Sequence, residues 1–75
     1  MSNTPSKESL AEALPKEQAR VREIIVMYRD PALKGAGDLA AEMMEQSLAA
    51  ADRAIISGDV AEMICCYENL KRYDV

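Results

Sequence analysis

Seventy-five residues make one small domain at most, of a size that buries only about 60% of the surface its unfolded chain exposes and therefore leans on cross-links, a metal, association or very regular packing. Composition removes two of these: there is no histidine, and the two cysteines are the neighbours Cys65 and Cys66, which close no loop, so neither a structural zinc site nor a stapling disulfide is expected. A formal net charge of −4 disfavours contact with phosphate backbones, and no apolar run of about 18 residues offers a membrane span, so neither nucleic acid nor membrane is expected as a partner.

With no Trp, no Phe and three Tyr, the core must come from Leu, Ile, Val, Met and Ala, a set rich in helix formers and poor in strand formers. The expected fold class is all-α. The first residues lack the apolar stretch of a signal peptide, and two free thiols suit a reducing compartment, so a cytoplasmic location is expected. Charge is uneven: residues 1–34 carry six basic and five acidic side chains, residues 35–75 three and eight.

In chain order, residues 1–5 are polar, end in Pro5 and read as a disordered tail, with 6–75 forming one helical domain. Ser6–Leu14 suits a short helical turn with Leu10 and Leu14 on one side. Pro15 reads as the first residue of a long helix, where its missing N–H costs nothing. Leu14, Val21, Ile25 and Tyr28 form the apolar stripe of that helix, Ile24 borders it, and Arg20, Arg22 and Glu23 lie away from it. Val26 and Met27 fall outside the stripe and signal a second contact. A basic strip of Lys16, Arg20, Arg22 and Arg29 is interrupted by Glu17, Glu23 and Asp30 and reads as a solvated, ion-paired face.

Asp30-Pro31 ends the helix, because the residue before proline is pushed out of the α region. Residues 30–38, with one proline and two glycines, read as a mobile connection. Gly35-Ala36-Gly37 lacks the Lys-Ser/Thr and the preceding strand of a phosphate-binding loop.

Asp38 is expected to cap a second helix, 39–57. Its apolar positions spread over an arc of about 200° rather than a stripe, with Leu39 and Met43 on one flank, Met44, Leu48 and Ile55 on the other, and Ala40, Ser47, Ala51 and Ala54 between them. So wide an arc needs more than one neighbour. Gly58 suits the left-handed position past a helix end, and Asp59 with Glu62 forms a capping-box pattern, which together predict a tight antiparallel hairpin into a third helix, 60–73. That helix is expected to bury Val60, Met63, Ile64, Tyr67 and Leu70.

The run from Ser57 to Lys71, with Gly58-Asp59 at the turn, Tyr67 as the aromatic and Ala51 on the preceding helix, resembles half of a tetratricopeptide repeat. Met63 and Ser47 depart from that family's size pattern, and nothing recurs at its repeat length, so the likeness implies shared hairpin geometry and not a solenoid. The layout from Leu14-Pro15-Lys16-Glu17 through the hairpin looks like the small uncharacterised all-helical proteins common in bacterial and prophage genomes, a resemblance that implies no activity.

Without histidine there is no nucleophile–His or carboxylate–His arrangement, and Glu42 and Glu45 sit on the wet side of their helix. No enzyme and no cofactor are expected. Vicinal Cys65 and Cys66 are the redox or soft-metal candidates, although a helix points them about 100° apart. The methionines read mainly as core filler, yet more apolar surface remains than three short helices can hide. The expected role is a non-enzymatic protein-interaction module, an adaptor or regulator, pairing as a two-fold homodimer or binding another protein. Its expected interface is Val26, Met27, Leu39, Met43, Met44, Leu48, Ala51 and Ile55; a thiol-based sensor through Cys65 and Cys66 is the alternative.

Overall fold

A computed structural model describes residues 9–74 and is all-α. Helix α1 spans Leu10–Tyr28, a single 3-10 turn spans Pro31–Leu33, α2 spans Asp38–Ser57 and α3 spans Val60–Lys71. The tail expected over 1–5 lies outside the described residues, as do residues 6–8 of the expected short turn.

Helix α1 starts earlier than the proline suggested. Ser9 stands in extended backbone (φ −69°, ψ 161°), and its carbonyl accepts from the N–H groups of Glu12 and Ala13, both at 2.9 Å. Pro15 is therefore inside the helix, not at its first position. The Ala11 carbonyl loses its usual donor there. Both residues are exposed, so water can serve that carbonyl, while Leu14 next door is fully buried and Leu10 packs on the core. Burial of those two leucines outweighs the local preference for a break.

The connection from α1 to α2 is a chain of turns rather than a loose loop. The Asp30 carboxylate accepts from the Ala32 N–H at 2.8 Å, and Leu33, Lys34, Ala36 and Asp38 each donate to a carbonyl three residues back. Lys34 adopts a left-handed conformation (φ 53°). Gly37 is buried and needs to be glycine, because a Cβ there would run into the Tyr28 carbonyl oxygen. It occupies the N-cap of α2, so Asp38 is the first helical residue and not the cap. The Ala36 and Asp38 N–H groups are thus satisfied within the loop.

Gly58 (φ 75°) closes α2 in the left-handed position, its N–H donating to the Ala54 carbonyl at 3.0 Å. The Asp59 carboxylate then accepts from the Glu62 N–H at 3.2 Å. The other half of the expected capping box does not form, because the Asp59 N–H donates to Ser57 Oγ. The Glu62 carboxylate is left facing outward.

The three helices run antiparallel, α1 to α2 to α3. Core side chains come from α1 (Leu14, Val21, Ile24, Ile25), from α2 (Ala41, Met44, Leu48, Ala51, Ala54) and from α3 (Met63, Leu70). The wide apolar arc of α2 is covered from two sides within the one chain. Gln18 Nε2 donates to Asp52 Oδ1 at 2.8 Å on the α1 side, and Ser47 Oγ hydrogen-bonds the Tyr73 hydroxyl at 2.9 Å on the α3 side. This corrects the expected interface: Met44 (3% exposed), Leu48 and Ala51 are interior, because the extra neighbour the arc demanded is α3 itself.

Helix α3 also departs from expectation. It ends at Lys71, and only Met63 and Leu70 are buried; Tyr67 and Cys66 are half-buried, while Val60 and Ile64 are exposed. The row Met63–Leu70, seven residues apart on one helical face, points at the core, and the Val60–Ile64 edge is turned off it. Arg20, expected on the wet side of α1, instead reaches over the end of α3, donating from Nη1 to the Tyr73 carbonyl at 2.8 Å and from Nη2 to the Leu70 carbonyl at 2.9 Å. Glu17 holds the same guanidinium at 3.0 Å. The unpaired carbonyls at a helix C-terminus are thus met by a cation, as the helix dipole favours.

Candidate functional site

Helix α3 has 12 residues where α1 has 19 and α2 has 20. At 1.5 Å per residue it falls short of α2 by about 12 Å, roughly two turns. Because α3 starts at the hairpin turn, the shortfall lies at the other end, beside the C-terminal half of α1 and the N-terminal half of α2. There, among the described residues, the third corner of the bundle is open. Met27 shares a helical face with Arg20, seven residues on, so it lies above the end of α3, and Met43 flanks the same opening from α2. Tyr73 forms its base, with its hydroxyl near the Met43 carbonyl. Met27 and Met43 are about half exposed, and Leu39, one turn before Met43, is 75% exposed.

Below that corner, α2 and α3 meet in a shallow groove on the side away from α1. One stretch is lined by Met43, Gln46, Ser47, Ala50, Cys66, Asn69 and Tyr73; the next by Ala50, Arg53, Glu62, Cys65 and Cys66. Ala50 and Cys66 belong to both, so the two stretches join. The groove has Met43 and Tyr73 at one end, with Leu39 one turn beyond, and carries one cation and one anion, Arg53 and Glu62, at the other.

The predicted surface residues divide accordingly. Leu39 and Met43 line or continue this groove, and Met27 borders the open corner. Val26, though 72% exposed, points away on α1, and Ile55 is only partly uncovered near the hairpin turn. The sequence reading missed a second apolar group at that turn, Ile56 (85% exposed), Val60 and Ile64, and missed Leu33 in the connection. It also missed Gln18, buried between Leu14 and Val21 on the core stripe, a spacing that could have flagged it.

Both thiols are free. Cys65 is exposed, and Cys66 is half-buried on the groove floor. Burial pushes the Cys66 thiol above the ordinary thiol range, Glu62 and Cys65 push the same way, and Arg53 opposes them. A thiol held in its protonated form is a poorer nucleophile and metal ligand. Among the described residues no group of three or more His, Cys, Asp or Glu side chains converges as a metal site would require.

Elsewhere the charges work within the chain. Arg29 at the end of α1 spans the acidic edge of α2, 3.1 Å from Glu45, 3.6 Å from Asp38 and 3.7 Å from Glu42. This ties three of the acids to the α1-facing edge of α2, outside the groove lining. Among the described residues no helix is long and apolar enough to cross a membrane. Comparison with protein-family models, with curated proteins and with solved structures finds no match to this chain.

Proposed function

We propose that this chain is a small non-enzymatic protein-interaction module, an adaptor or regulator that acts as a helical homo-oligomer. The observation that carries the reading is the unpartnered apolar surface beside the short α3: Met27, Leu39 and Met43 ring an open bundle corner that a further helix would complete. Exposed apolar side chains grouped in this way favour association. The polar chemistry agrees with it, since Asp38, Glu42 and Glu45 of α2 pair with Arg29, Asp52 accepts from Gln18, and no histidine exists to act near neutral pH. Sedimentation velocity of the full chain at tens of micromolar tests the reading: a species near twice 8.2 kDa is expected, and a compact monomer throughout would remove the homo-oligomeric part of it.

A thiol sensor through Cys65 and Cys66 is the alternative, favoured by the free, exposed Cys65. The raised Cys66 thiol weighs against it. Replacing both cysteines by serine should leave oxidant response and soft-metal uptake unchanged under the module reading and abolish them under the sensor reading.

A further inference from the structure

The α2–α3 groove bears two opposite charges that the fold itself does not use. Arg53 of α2 and Glu62 of α3 line the same stretch of groove, one on each wall. Among the described residues neither side chain enters an ion pair, although Arg29 and Arg20 are fully engaged. Glu62 is available because the Asp59 N–H it was placed to receive donates to Ser57 instead.

We infer that the groove is the contact between two copies of this chain, packed face to face about a two-fold axis that runs along it, so that Arg53 of each copy meets Glu62 of the other. This rests on the homo-oligomeric reading above and names the surface that reading leaves open. Rotation about such an axis lays α2 of one copy over α3 of the other at the same height. An opposite-charge pair facing each other across the groove then becomes two intermolecular pairs, which is the self-complementarity an isologous interface needs.

Two further features agree with the arrangement. Because α2 outruns α3 by about 12 Å, the N-terminal half of the second copy's α2 extends past the end of α3 and over the open corner. Leu39 and Met43 of that copy then cover Met27 and Met43 of the first. Between the two ends the groove is lined by the small residues Ser47, Ala50 and Cys66, with Gln46 and Asn69 beside them as polar groups available to the second copy. Like-charge repulsion between two copies of net charge −4 is reduced at this surface, because Asp38, Glu42 and Glu45 are paired with Arg29 on the α1-facing edge of α2 and do not line the groove.

The test is a charge swap read by sedimentation equilibrium on the full chain, with helical content checked by circular dichroism. Arg53 and Glu62 are both exposed, so single replacements should leave the fold intact. Arg53→Glu and Glu62→Arg should each weaken the dimer about tenfold or more by setting like charges opposite each other, and the double variant should restore it. A wild-type dimer that neither single variant weakens would overturn this surface while leaving the module reading standing. A wild-type chain that stays monomeric at tens of micromolar would overturn both. Leu39→Lys separates the apolar contribution: it should weaken the dimer while Ile56→Lys, at the opposite end, does not, and the reverse result would place the contact at the hairpin turn.

Discussion

The two ends of this small bundle are held in different ways. Along α3, from the hairpin turn to its end at Lys71, three helices meet, Leu14, Met63, Leu70, Ala51 and Ala54 are buried among them, and Arg20 and Gln18 tie the helices together with hydrogen bonds from half-buried or buried positions. Toward the α1–α2 connection only two helices meet, and they are joined by the core row of Val21, Ile24, Ile25, Ala41 and Met44 together with an exposed arginine clamp. The first end is closed by its own chain. The second has the same kind of apolar side chains but, among the described residues, no third element to cover them, and the proposed function rests on that difference.

The contrast can be broken most strongly at the closed end. Leu70→Ala removes a fully buried side chain at the meeting point of all three helices and should cost about 2–5 kcal/mol, read as a lower denaturation midpoint. Arg20→Ala comes next. It strips two carbonyls at the end of α3 of a charged donor, and because the guanidinium is about one-third exposed the loss should be about 1–2 kcal/mol, with the last turn of α3 exchanging its amide protons faster. Asp59→Ala should cost about 1 kcal/mol through the lost cap on α3, without affecting the α1–α2 end. Smallest of all is Arg29→Ala at the open end. Its pairs are solvent-exposed, so the change should be slight at low salt and vanish as salt rises. A large effect of Arg29→Ala, or a negligible one of Leu70→Ala, would invert the assignment of closed and open ends.

Much of this fold was legible in the residues. Gly58-Asp59 announced the hairpin because one supplies a left-handed backbone and the other a cap, both strictly local effects. The α1 stripe and the breadth of the α2 arc were likewise readable from periodicity. What could not be read was who covers whom. The arc of α2 does need two neighbours, but both are in the same chain, so Met44, Leu48 and Ala51 turned from surface into core. Pro15 misled for the opposite reason, since a local helix-start signal lost to the burial of Leu14 on its N-terminal side. The groove depends on the rotation of α3 about its axis, which decided that Val60 and Ile64 face out and that Glu62 faces Arg53. No local pattern encodes that rotation; it emerges from packing Met63 and Leu70 inward.

The cysteines on the groove give the most direct check, because they report coverage whatever their chemistry. Alkylation rates of Cys65 and Cys66 in the full chain, measured from dilute to concentrated protein, should fall for both as the groove is covered by a second copy, with Cys65 the faster of the two in the dilute limit. Rates that stay constant across a concentration range in which sedimentation shows a dimer would contradict the groove as the contact.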